Sequence, residues 1–105
     1  MTQGSPDITI THHVQGQGGR YVAVVADAME EGFLEWEPAA QLRGQPVRIA
    51  AHTIVPRAIG GRGVAAALVD RLVEDARRQG FLIRPDCFYV AKRFGQHPEW
   101  EDVRA

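Results

Sequence analysis

Polar and apolar residues alternate along residues 7–15, DITITHHVQ. Ile8, Ile10, His12 and Val14 fall on one side and Thr9, Thr11 and His13 on the other. A period of two predicts a strand with one buried face. QGQGG (15–19) reads as a turn and RYVAVVADA (20–28) as a second β-rich run. MEEG (29–32) closes a hairpin into GFLEWEP, in which Leu34 and Trp36 face the core, Glu35 and Glu37 face outward, and Pro38 ends the strand. AAQLRGQP (39–46) reads as a loop. VRIAAHTIV (47–55) is apolar enough for a central strand with both faces covered.

After Pro56 the period changes. Between Val64 and Gln79 the apolar residues Val64, Ala65, Leu68, Val69, Leu72, Val73 and Ala76 form one stripe of a helix. Asp70, Arg71, Glu74, Asp75, Arg77 and Arg78 are assigned to its wet face. Glu74 and Arg78 stand i,i+4, Arg77 and Arg78 suit the C-terminal dipole, and Gly80 suits the residue after the helix. FLIR (81–84) predicts a short strand. Asp86 would cap a second helix over CFYVAKRF (87–94) that stops at Gly95, and one more turn can follow Pro98. The order β-β-β-β-α-β-α predicts an α/β (α+β) domain with a mixed sheet: an antiparallel meander joined to one β-α-β crossover.

With 105 residues the expectation is one domain over 1–105. A net charge of -1 gives no support for a nucleic-acid or membrane-surface partner. One cysteine, Cys87, excludes an intramolecular disulfide. MTQGSPDITI has neither the basic nor the apolar region of a signal peptide, so a cytoplasmic location is expected. His12 and His13, as strand neighbours, point to opposite faces and cannot chelate one ion together, and no metal is expected.

The densest glycine usage, IGGRGVAA at 59–66, leads straight into the long helix. A helix N-terminus offers unpaired N–H groups and about half a positive charge. Glycines before it let those groups converge on an anion, most often phosphate. The Walker pattern G-x-x-x-x-G-K-[ST] is absent. Gly61-x-Gly63-x-x-Ala66, with Asp86 in the place of a ribose-binding acid, has the spacing of a dinucleotide fingerprint. Pro56 to Gly60 separate it from its strand, however, and the antiparallel first half does not suit that fold.

The stretch Gly60-Gly61-Arg62-Gly63-Val64-Ala65 resembles the Arg/Gln-x-x-Gly-x-Gly/Ala signature of the GCN5-related N-acetyltransferases. Gly63 and Ala65 match, and Gly60 stands where the family has Arg or Gln. His52-Thr53-Ile54-Val55, Pro85-Asp86-Cys87-Phe88-Tyr89-Val90 and His97-Pro98-Glu99 resemble a small, single-domain branch of that family, and the likeness covers most of residues 8–100.

The resemblance implies an acetyl-CoA cosubstrate. Its pyrophosphate would lie on the N–H groups of Gly60, Gly61, Arg62, Gly63, Val64 and Ala65, with charge from Arg62 and Arg57. Its pantetheine arm would pair with the main chain of Thr53, Ile54 and Val55, in a splay between strands 47–55 and 81–84. Acetyl transfer to an amine needs that amine neutral, so a base is sought. His52, Glu35 and Glu37 are candidates. Cys87 is the sharper one, because a helix N-terminus stabilises a thiolate; Arg84 helps and Asp86 opposes. Only a turn separates the first two strands, where larger members carry two helices over the acceptor. The expected acceptor is therefore an exposed amine on a protein or peptide, reached by a monomer or completed by a second copy. The alternative is a CoA-binding or protein-interaction module with little catalysis.

Overall fold

The computed structural model describes residues 7–105; residues 1–6, most of the stretch tested for a leader, lie outside the described residues. Five strands form one sheet: β1 (Ile8–Gln15), β2 (Gly18–Val25), β3 (Glu31–Leu42), β4 (Gln45–Ile54) and β5 (Leu82–Pro85). Their spatial order is their chain order. The first four pair antiparallel, and β5 runs parallel to β4 after the crossover helix α1 (Val64–Gln79). A second helix, α2 (Phe88–Gln96), and 3-10 turns at Arg57–Ile59 and Pro98–Val103 complete the chain. This is the expected α+β architecture with a mixed sheet.

One face of the sheet packs on α1. Leu68, Val69, Leu72 and Ala76 of the helix share a core with Tyr21, Ala23 and Leu34 of β2 and β3. That placement follows from the apolar stripe of the helix meeting the buried set of alternating strand positions. Phe81 and Ile83, Val90 and Phe94, and Trp100 and Val103 extend the same core around β5, α2 and the last turn.

Four local expectations are corrected. Residues 39–46 are a hairpin: β3 runs through Pro38 to Leu42, and Leu42 pairs with Gln45 across Arg43-Gly44. Both turn residues have positive φ (52° and 77°), as a tight hairpin turn requires. Pro38 is tolerated because pairing with β2 ends at Trp36; beyond it β3 has a neighbour on one side only.

Secondly, β4 is not covered on both faces throughout. Its pairing with β5 stops at Ala50↔Pro85, His52 is exposed, and Ile54 is 54 % exposed. Thirdly, Asp75 is not on the wet face of α1 but buried, with 1 % exposure. Its carboxylate accepts the Tyr21 hydroxyl at 2.8 Å, Arg78 at 2.8 Å and Arg71 at 3.3 Å. A phenol buried under a helix needs an acceptor, and two arginines at the rim neutralise the charge that supplies it. Finally, Cys87, not Asp86, holds the cap position of α2. Asp86 instead pairs with Arg84 at 2.9 Å, and the helix continues past Gly95 to Gln96.

Candidate functional site

The glycine turn contains two different kinds of glycine. Gly61 and Gly63 have φ of 73° and 83°, and a Cβ built on either meets no atom within 4 Å. Their requirement is therefore conformational, since L-residues reach this region at a cost. Gly60 is ordinary extended backbone, with φ -70° and ψ 155°. Gly63 is the residue at the cap of α1, and its C=O accepts the N–H of Ala67 at 3.0 Å. The N–H groups of Val64, Ala65 and Ala66 precede the first intrahelical bond. Among the described residues no side chain caps the helix, and its first turn carries no acidic residue. Positive potential is thus left directed out of the turn.

A groove of about 300 Å³ opens at this point, lined by Val55, Ile59, Gly60, Gly61, Gly63, Val64, Ala65, Ala66 and Tyr89. Its β4 wall has a distinct origin. Glu35 pairs with His52 but Trp36 with Ala50, so Ala51 is an extra residue in β4. Such a bulge bends the strand that carries it. It falls immediately after the last residue paired to β5, and from there β4 is paired to β3 alone. Where a splay is expected beside Thr53, Ile54 and Val55, the β4–β5 ladder has ended, at Pro85, the last residue of β5.

Cys87 sits where that ladder ends. Its N–H donates to Ala50 C=O at 2.8 Å, and its thiol lies 3.5 Å from the Thr53 hydroxyl. Burial pushes the Cys87 thiol up, but the Thr53 hydroxyl and the N–H groups of Val90, Tyr89 and Thr53 outweigh it, and the net shift is downward. Two of these N–H groups, those of Tyr89 and Val90, belong to the first turn of α2. Arg84 and Asp86 bond each other, which holds the Asp86 carboxyl below its ordinary range.

The structure separates the two proposed catalytic side chains. Thr53 stands opposite buried Leu34, on the α1 side of the sheet, and carries Cys87 there. His52, its neighbour in the strand, projects from the other face opposite Glu35. Glu35 is itself bonded to Arg20 at 2.6 Å, and Glu37 is exposed. Arg57 is exposed at the turn. Arg62 pairs with Asp27 at 3.0 Å and with Asp7 at 3.6 Å. Ile59, Ala66 and Tyr89 are groove residues that the pattern reading did not assign. Tyr89 sits inside the quoted Pro-x-Cys-x-Tyr-Val stretch, and that motif was the available signal for it.

Among the described residues, no three His, Cys, Asp or Glu side chains are grouped to hold a metal ion, and no helix is long and apolar enough to cross a membrane. No relative was found among curated proteins. A family model described as GCN5-related N-acetyl-transferase matches residues 20–103, from β2 to the final turn. With a bulged strand, a glycine turn and the start of the long helix inside that span, the chain belongs to the GCN5-related N-acetyltransferase family.

Proposed function

We propose that this protein is an acetyl-CoA-dependent N-acetyltransferase whose acceptor is an amine exposed on a protein, a peptide or a similarly accessible molecule. The observation that carries the reading is the continuity of the groove. It runs from the first N–H groups of α1 to Val55 and Tyr89, and two residues before each of these lie Thr53 and Cys87, which meet hydroxyl to thiol.

In this reading the pyrophosphate lies on the N–H groups between Gly60 and Ala65, where the backbone forms the cradle and Arg62 adds charge. The amides of the pantetheine arm pair with the free edge of β4 at Thr53, Ile54 and Val55. This brings the thioester to Cys87. The acceptor nitrogen forms a bond to the acetyl carbon, the carbon–sulfur bond breaks, and the CoA thiolate leaves. An alkyl amine with a reference pKa of about 10.4 must lose a proton for that step. Cys87, held toward its thiolate, takes the proton on the α1 side; His52 is the group available for an acceptor approaching from the other face. A reducing compartment such as the cytoplasm suits a reactive thiol of this kind.

The separation of His52 from Cys87 favours a second reading, a CoA-binding module with little turnover. Release of CoA thiol from acetyl-CoA in the presence of amine and peptide acceptors distinguishes them. Cys87→Ala should abolish most turnover while CoA affinity stays within about threefold, because the thiol acts on the acyl group. Cys87→Ser should behave like Ala. Wild-type turnover in both variants removes Cys87 from the chemistry, and CoA binding without turnover in the wild type selects the second reading.

A further inference from the structure

Arg62 belongs to the glycine turn, yet it is not among the residues lining the groove, and its guanidinium is paired with two carboxylates. Asp27, on the turn between β2 and β3, lies 3.0 Å away and Asp7, just before β1, 3.6 Å. Both carboxylates are well exposed, at 71 % and 51 % of their side chains, and Arg62 is 35 % exposed. A pair this wet is weak, because water competes for both partners. A phosphate oxygen pair beside the same turn offers the guanidinium a bidentate partner of higher charge.

We propose that Asp27 is a positioning residue for cofactor capture: its carboxylate holds Arg62 on the sheet side of the glycine turn, and the CoA pyrophosphate takes Arg62 over in exchange. The inference rests on the acetyl-CoA reading above. It assigns Asp27 an effect opposite to that of an ordinary binding-site residue. Because one charge pair is traded for another, removing the competing carboxylate tightens binding. It does so through Arg62, the group both acceptors share. Asp7, at the longer distance, contributes in the same direction and less.

The test is a double-mutant cycle read by calorimetric titration with CoA, at fixed low salt, on the full chain. Asp27→Asn keeps the side-chain shape at an exposed turn and removes only the charge. It should tighten CoA binding by about three- to fivefold, while Arg62→Ala weakens it. In the Arg62→Ala background, Asp27→Asn should change the affinity by less than about 1.5-fold. In turnover, Asp27→Asn should lower KM for acetyl-CoA and leave kcat unchanged, a split that a purely structural residue does not produce. Unchanged affinity in Asp27→Asn, with a wild-type protein that binds CoA, overturns the exchange and leaves the cofactor reading intact. So does equal tightening with and without Arg62, which makes the effect one of general field on the anion. A wild-type protein that does not bind CoA overturns both.

Discussion

Gly63→Ala is the most informative single substitution in the loop, because its magnitude follows from geometry. Gly63 has φ 83° and ψ 13°, and an added Cβ touches nothing within 4 Å, so sterics with neighbours contribute nothing. What remains is the left-handed penalty for an L-residue, about 1–2 kcal/mol. Alanine also stiffens the unfolded chain, which offsets about 0.4–1 kcal/mol of it. The expected net loss is therefore about 1 kcal/mol, or roughly 5 °C in Tm for a domain of this size. Gly61→Ala, at φ 73°, should behave alike. Gly60→Ala should lose much less, since its backbone is extended and its Cβ would only press on Arg57 C=O at 3.3 Å. CoA titration then separates two ways of absorbing the strain. If the turn keeps its shape, affinity changes by less than about threefold; if it flips out, the N–H groups of Val64, Ala65 and Ala66 diverge and affinity falls at least tenfold. Thermal unfolding with and without CoA measures both quantities. Equal effects of alanine at Gly60 and Gly63, in stability and in affinity, would refute the assignment of conformational need to Gly61 and Gly63.

Gly63→Pro removes the flexible position and cannot adopt positive φ, so CoA binding should be lost in titration even where the protein stays folded. Tyr21→Phe should lower stability in urea by about 1.5–3 kcal/mol, the value of a hydrogen bond to a charged acceptor. Asp75→Ala should lower it by more, about 3–5 kcal/mol, because it strips a buried hydroxyl and two arginines of their shared partner; a smaller loss than for Tyr21→Phe would contradict the network. His12 accepts the Trp36 indole N–H at 3.0 Å, stacks on Tyr21, and is held below its ordinary 6.5 by burial and then by Arg48, with Arg71 and His13 adding to the effect and Asp75 opposing it. The unfolded chain therefore takes up this proton at higher pH than the folded one, so stability is fully present above 6.5 and declines as pH falls below it. Urea midpoints followed by tryptophan fluorescence at pH 7.5 and 5.5 should show that decline in the wild type and flatten in His12→Phe.

Much of this architecture is written in local pattern. The period of two at Ile8–Val14 and the helical stripe from Val64 to Ala76 identify elements that need only one neighbour to bury them, so their spans hold. The glycine turn is equally local: two positive φ values before a helix are a property of the backbone at Gly61 and Gly63. Other features depend on what packs alongside. Pro38 ends a strand only where both neighbours demand an N–H, and β2 has already stopped pairing there. Asp75 looks like any polar helix residue until the Tyr21 hydroxyl arrives under it from 54 positions away in the chain. One extra residue, Ala51, sets the register that lines His52 up with Glu35 and Thr53 with Leu34; strand alternation then puts the histidine and the thiol on opposite faces. Arg62 reads as a phosphate ligand from its place in the turn, but its partners come from two distant segments that the sheet brings to it. Elements follow from the periodicity of a chain, whereas the pairing of side chains across them follows from register, which exists only once the sheet has formed.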